Sequence, residues 1–330
     1  GSEMCIRDSG ETENKGIDLT INSTNITNKN FTWNTSITLS HNKNSVKKLT
    51  GEDVQLWEAN FGYSQNTHII GVNQPLGQMY GYVTDGLYQV SDFDYDAATK
   101  TYTLKDGVPY AGEKGNVKPG MWKFKNIDGS KDNKITEADK TVIGNAYPKI
   151  YGGINNTFTY KDFDLSIFLT YSIGNDVFNA TKLTNTKTAL QNKNVLAVAD
   201  SKHRWVLVNK AGDLITDPQE MADINKGKTV AAIYDNEAGD TYIHSWAVED
   251  GSFLKLSNIT LGYTFPKKMI RKVGLSKLRL YATGSNLLTW TKYSGFDPEV
   301  STMGNGLTPG VDFGAYPRSR SFVFGINLAF

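Results

Sequence analysis

The residues best suited to chemistry lie in one stretch, Asp128-Gly-Ser130-Lys-Asp132-Asn-Lys134-Ile-Thr136-Glu-Ala-Asp139. Its spacing puts oxygen-bearing groups at positions 1, 3, 5, 9 and 12 of a twelve-residue loop. The backbone carbonyl of Lys134 falls at position 7. Ca²⁺ takes roughly six to eight hard oxygens at about 2.3–2.6 Å, and one loop can supply them in this EF-hand order. Ile135 would anchor the loop to a core. Three residues depart from the pattern: Asn133 stands where glycine is usual, Asp139 replaces the longer Glu, and Ser130 is a weaker ligand than Asp. The same residues also suit a metal-free turn, in which Asx side chains bond their own backbone. A calcium site formed by Asp128, Ser130, Asp132, Lys134, Thr136 and Asp139 and a plain turn both remain open at this point.

Other chemistry is sparse. The four histidines, His41, His68, His203 and His244, have no zinc-binding spacing, and the single cysteine, Cys5, allows no disulfide or thiolate site. Acidic pairs such as Glu237/Asp240 and Glu249/Asp250 are expected by chance among 34 acidic residues and are read as solvated surface. There is no GxSxG, Walker loop or CxxC, so no enzymatic constellation is predicted. With 35 Lys+Arg against 34 Asp+Glu, the net charge of +1 excludes a nucleic-acid partner, which needs a basic surface.

The elements that carry these residues are strands. Ile17, Leu19 and Ile21 alternate with Asp18, Thr20 and Asn22, and Phe163 to Ile173 alternate with only Phe168 intruding. The same period of two runs through 31–41, 150–160, 253–265, 277–288 and 321–330. These segments are about ten residues long, nearer to a tilted membrane-crossing strand than to a soluble one. Their second face carries Ser, Thr, Asn and Gly more than Lys or Glu, as a wet barrel interior would. A soluble β-sandwich is the competing reading. Tight turns at 28–30 and 160–162 and a moderate one at 266–276 oppose excursions at 43–149, 174–252 and 289–318. Barrels show this asymmetry, with short turns periplasmic and long loops outside. No run reads as a membrane helix: Ala59–Thr84, the longest free of charge, is read as a polar loop. GSEMCIRDS has no apolar core and is not a secretory signal. A short helix is expected within Asn179–Val198. Trp57, Phe61, Tyr63, Tyr80, Tyr82 and Tyr88 could stack on sugar rings, although loop packing or contact with a lid accounts for them more simply. Tyr171, Tyr263, Phe265, Trp290, Phe322 and Phe324 are read as an interfacial aromatic girdle.

The stretches NKGIDLTINSTNITNKNFTWNTSITLSHNKNSV, GVNQPLGQMYGYVTDGLYQ and GMWKFKNIDGSKDNKITEADKTVIGNAYPKIYGGINNTFTYKDFDLSIFLTYSIGND resemble the SusC/RagA family of TonB-linked outer-membrane transporters, as do WAVEDGSFLKLSNITLGYTFP, LRLYATGSNLLTWTKYSGFDPEV and the terminal strand. They run in the family's order over residues 14–330. The resemblance implies the C-terminal part of an antiparallel transmembrane β-barrel, all-β, with barrel strands at 10–42 and 150–330. It implies import of an oligosaccharide or similar nutrient, with a SusD-like surface lipoprotein capping the barrel and outer-membrane lipid around it. The signal, the plug and the segment meeting the TonB complex would lie upstream of residue 1. Phe330, ending an alternating strand with Phe322 and Phe324, resembles the barrel-insertion signal. Residues 1–9 resemble a translated adapter artefact, which removes Cys5 from consideration. A soluble β-rich carbohydrate-binding or adhesin module stabilised by calcium is the alternative function. Counting back from a periplasmic C-terminus gives seven spanning strands, an odd number, so an open wall is expected.

Overall fold

The computed structural model describes residues 10–59, 66–187, 194–234, 242–302 and 306–330. Residues 1–9, with Cys5, lie outside the described residues, as do Phe61, Tyr63, Glu237 and Asp240. Seven strands form one antiparallel sheet: β1 (Glu11–Thr27), β2 (Phe31–Lys48), β3 (Ile150–Tyr160), β4 (Phe163–Ile173), β5 (Phe253–Thr264), β6 (Lys277–Thr291) and β7 (Ser321–Ala329). Sheet order is chain order, with β1 and β7 at the two edges, so the wall is open as expected.

The register shows why these strands form one surface. Directly opposed residues share a face. One row runs Ile21, Ile37, Ile154, Leu169, Leu256, Leu288 across six strands, and a second runs Leu165, Leu261, Ala282, Phe324. The alternate rows are polar: Thr24, Asn34, Thr157, Ser166, Thr260, Thr283 lie side by side. One face is therefore mainly apolar, broken towards β1–β3 by the row Ser23, Thr35 and Asn156, where Thr35 Oγ1 donates to Asn156 Oδ1 (2.7 Å), and every charge within β3–β6 keeps the other parity. The Arg279 guanidinium grips Asp164 through two bonds (Nε to Oδ1 3.0 Å, Nη2 to Oδ2 2.5 Å). Gly262 lies opposite Asp164 and Tyr281, and a Cβ there would meet Arg279 Nη2 at 2.4 Å and Asp164 Oδ1 at 2.6 Å, so a side chain at this position would displace the pair.

The turns fit their sequences. Asn28 Oδ1 accepts from the backbone N–H of Asn30 and Phe31, closing the first hairpin. Lys161, with φ 52°, closes the second in two residues. The third holds α1 (Lys267–Ile270) and a 3-10 turn, Arg271–Val273.

Several boundaries differ from expectation. β1 begins at Glu11, not residue 17, and β2 continues to Lys48, past the expected limit at 42. At about 3.4 Å per residue, β2's 18 residues span roughly 60 Å, twice a hydrocarbon core. Its extra length pairs Lys43 and Lys47 with Lys15 and Glu13 territory, polar on both faces, so backbone pairing continues where apolar alternation has stopped. β6 likewise reaches Thr291, while β7 ends at Ala329, one short of Phe330.

The three excursions are not open loops. They fold into one lobe that holds the buried core, and of the described buried apolar residues only Val46 lies on a wall strand. One cluster gathers Tyr82, Leu87, Trp122, Phe124, Trp205 and Met221, and another Met79, Phe178, Leu183, Ile243 and Val311. A three-stranded sheet, Val248–Asp250, Asp176–Asn179 and Val311–Asp312, ties the second excursion to the third. Ala59–Thr84, expected as a polar loop, contains the paired strands Asn66–Gly71 and Gln78–Tyr82, because His68, Thr67 and Gln78 are buried with partners. The helix expected within 179–198 is only α2 (Ala180–Asn185), capped by Asn179 Oδ1 accepting from Lys182 N–H at 2.8 Å. Another, α3 (Pro218–Ile224), carries Asp217 as N-cap and Pro at its start. Among the described residues no helix is long and apolar enough to cross a membrane.

An apolar-faced sheet with two open edges exposes both greasy surface and unpaired backbone. We expect residues 10–330, expressed alone, to sediment from detergent-free buffer; a soluble monomer by analytical ultracentrifugation would contradict the wall described above.

Candidate functional site

The acidic loop is organised by its last residue. Asp139 is completely buried, its Oδ1 accepts from the N–H of Ile127 (2.8 Å) and Asp128 (3.2 Å), and its Oδ2 accepts from Thr136 N–H (2.8 Å). The carboxylate thus clamps the loop's entry to its exit. Between them, Asp128 Oδ1 accepts from Ser130 N–H (2.7 Å) and Asp132 Oδ1 from Lys134 N–H (3.1 Å), two successive Asx turns. Asn133 adopts φ 56°, the left-handed conformation its side chain tolerates. Lys134 N–H and then the Ser130 hydroxyl hold the exposed Asp132 carboxyl below its ordinary range. Thr136 Oγ1 accepts from Ala138 N–H and caps the following turn. Lys134 and Ile135 pair with Tyr110 and Ala111, and Ile135 is buried in the lobe, the anchoring role expected of it. Among the described residues no three His, Cys, Asp or Glu side chains are grouped to hold a metal ion.

The terminal aromatics are placed differently. Phe322, Phe324 and Phe330 are 67%, 80% and 90% exposed. Phe322 and Phe324 face Gly284 and Ala282 across the last ladder, on the apolar side. Ser276 Oγ donates to Phe330 O (3.3 Å), which fixes the chain end to the third turn. Of the aromatics considered for stacking, Tyr82 and Tyr88 are buried in the lobe and Tyr88 donates to Pro109 O (2.6 Å), so neither can meet a sugar. Trp57 and Tyr80 are half-buried and share an open groove with Val54, Leu56 and Ile69.

Reading the sequence did not single out the charged groups that join lobe to wall. Lys255, the lone charge of β5, is buried on the polar side and donates to Glu299 Oε2 at 2.6 Å. Arg318 approaches the same carboxylate at 3.5 Å. A single charge at polar parity in a membrane strand demands a partner, and that was the available signal. Glu249, read from the sequence as solvated surface, is instead part-buried and held within the lobe by Lys182 (3.0 Å) and by Ser294 through N–H and Oγ (both 2.8 Å). Burial works against its charge, but these contacts outweigh it and lower the carboxyl's pKa. His68 receives Thr67 Oγ1 at Nδ1 and donates from Nε2 to Pro309 O (2.9 Å) when in that tautomer, and burial lowers its pKa to about 4. His244, buried among Trp122, Phe124 and Trp246, is lowered to about 3 by desolvation and then by Lys187 and Lys182. Both imidazoles are neutral structural groups.

A seven-stranded wall, apolar on one face and lined by polar residues on the other, defines a membrane β-barrel. Its relatives agree. TonB-dependent receptor P3 of Formosa agariphila is 33% identical over the whole chain, P39 of the same organism is 30% identical over 97% of it, and TonB-dependent receptor SusC of Bacteroides thetaiotaomicron 27% over 97%. The chain spans about 30% of the length of these relatives. The solved RagAB peptide transporter shares the fold, with a TM-score of 0.65 at 21% identity, over 97% of this chain and 30% of that one. No family model matches the sequence. The chain belongs to the SusC/RagA family of TonB-dependent receptors, outer-membrane proteins and not enzymes. The soluble-sandwich alternative is thereby set aside, since the relatives that match over the whole chain are TonB-dependent receptors.

Three backbone donors lose their acceptor if Asp139 is truncated, on the order of 3 kcal/mol for a buried site. Asp139→Ala should therefore open the 126–139 loop to limited proteolysis, while Asp132→Ala, on the exposed turn, should leave cleavage nearly unchanged. Equal cleavage of both variants would refute the clamp.

Proposed function

We propose that the chain forms part of the barrel wall and the outer lobe of a receptor that imports a nutrient across the outer membrane, driven through TonB. The observation that carries this reading is the wall itself: one apolar face, one polar face with paired charges, and a folded lobe at the long-loop end. TonB and the plug would act through parts of the receptor beyond these 330 residues, and a SusD-like lipoprotein would seat on the lobe. An oligosaccharide is the proposed cargo, supported by Trp57 and Tyr80, two half-buried aromatic side chains that line one open groove. Phe330, with Phe322 and Phe324, would serve as the insertion signal.

Deleting the receptor gene should abolish TonB-dependent growth on one oligosaccharide from a panel that also includes peptides. Complementation lacking the codon for Phe330 should restore growth only in proportion to the receptor that reaches the outer membrane. Growth lost on peptides alone would overturn the glycan assignment, and full outer-membrane levels without Phe330 would overturn its role.

Calcium at the acidic loop is a separate proposal. It rests on ligand type and order: Asp128, Ser130, Asp132, the Lys134 carbonyl, Thr136 and Asp139 are all oxygen donors. The Asx turns at Asp128 and Asp132 are compatible with it, but the ligands would have to draw together. Millimolar Ca²⁺ should then protect the 126–139 loop of the purified receptor from proteolysis, with EDTA reversing the effect. Identical cleavage with and without the ion would leave a purely hydrogen-bonded turn.

A further inference from the structure

The third turn, Pro266 to Lys277, has the sequence PKKMIRKVGLSK, with five basic residues and no Asp or Glu. Lys267, Lys268, Arg271 and Lys272 are all exposed, and none of them forms an ion pair among the described residues. In a chain whose net charge is +1, this is a local concentration of positive charge. The turn is also sided. At about 100° per residue, Lys267, Lys268, Arg271 and Lys272 occupy one arc of α1 and its continuation. Met269 and Val273, four apart, occupy the next arc and are 61% and 70% exposed. Ile270, buried to 3%, fastens the segment to the wall, and Leu275 N–H donates to its carbonyl. Gly274, at φ 75°, stops the turn and returns the chain to β6.

Its position supplies the second argument. Immediately before it, Tyr263 packs on Phe265 (centroids 4.9 Å apart) and on Phe163 (4.6 Å), beside Tyr160 in the register. Aromatic rows of this kind mark the level where hydrocarbon gives way to headgroups. The basic arc follows Phe265 and Pro266 directly in the chain and so lies beyond that level, where phosphates lie, and the exposed Met269 and Val273 suit the acyl boundary. This is the make-up of an interfacial anchoring segment. We propose that Pro266–Lys277 binds anionic phospholipid headgroups of the periplasmic leaflet. The inference rests on the outer-membrane barrel reading, which assigns the short-turn end to that leaflet.

The test uses the full-length receptor in detergent, titrated with phosphatidylglycerol or phosphatidylcholine and read by native mass spectrometry. The wild type should retain phosphatidylglycerol preferentially, and added salt should weaken retention. The variant Lys267→Ser/Lys268→Ser/Arg271→Ser/Lys272→Ser should lose affinity by about fivefold per removed charge at low salt, with phosphatidylcholine unchanged. Met269→Ser/Val273→Ser should weaken both lipids alike. Unchanged phosphatidylglycerol retention in the basic variant overturns the proposal, as does loss of lipopolysaccharide binding alone, which would put the patch in the other leaflet. Heat-modifiable migration on gels is read in parallel. If the wild type shows none, the barrel reading fails; if both proteins show it and lipid retention does not differ, only the anchoring inference fails.

Discussion

Lipid offers no hydrogen bonds, and the architecture of the wall follows from that constraint. Each wall strand must find its backbone partners in the strand beside it. Pairing then fixes register, and register decides which side chains face out. A slip of one residue in β4 would carry Leu165, Ile167 and Leu169 to the polar side and Asp164 into hydrocarbon. The Arg279–Asp164 pair resists such a slip, since its two bonds join β6 to β4 across β5 in one alignment. The ion pair therefore serves alignment more than stability, for a partly exposed pair contributes little energy by itself.

The same constraint explains why the core is elsewhere. A wall whose apolar face meets lipid has nothing to bury against itself, so hydrophobic collapse happens in the excursions. There Trp122, Phe124 and Trp205 pack as in a soluble domain, around neutral imidazoles and clamped carboxylates. The lobe must still be held in register with the wall. Lys255–Glu299 does this from the polar face, and at the top of β2 Val46 N–H donates to Gln74 O while Asn73 N–H donates to Val46 O. Both ties sit where a charged or polar group has left water for a place that demands a partner.

What could be read from the sequence divides along the same line. The wall strands were legible because lipid on one side and water on the other impose a period of two, as at Phe163–Ile173. Their extensions were not, since beyond the membrane β1 and β2 keep their ladder while both faces turn polar. The lobe was least legible. Its short strands, such as Gln78–Tyr82, are buried on both sides and show no alternation. The Asp217-Pro218 start of α3 did carry a helix signal. In the acidic loop the residue types were plain, but the same carboxylates that could ligate an ion also accept backbone N–H groups, and sequence does not choose between those bonds.

The loop at Asp128–Asp139 shows how closely those two uses are related. An Asx turn employs one carboxylate oxygen on the backbone N–H two residues on and leaves the other oxygen uncommitted by the turn. Asp128 and Asp132 each place Oδ1 on a backbone N–H, of Ser130 and Lys134. Asp139 differs, with both oxygens committed to the backbone and no exposure to solvent. The fold-maintaining task thus falls on the closing residue, and the outer residues of the loop are left adaptable. A shorter acid at the closing position suits that division, because Asp139 reaches the N–H groups of Ile127 and Thr136 at once. The departure from the EF-hand pattern at position 12 is in this sense the residue that ties the loop's entry to its exit within the lobe.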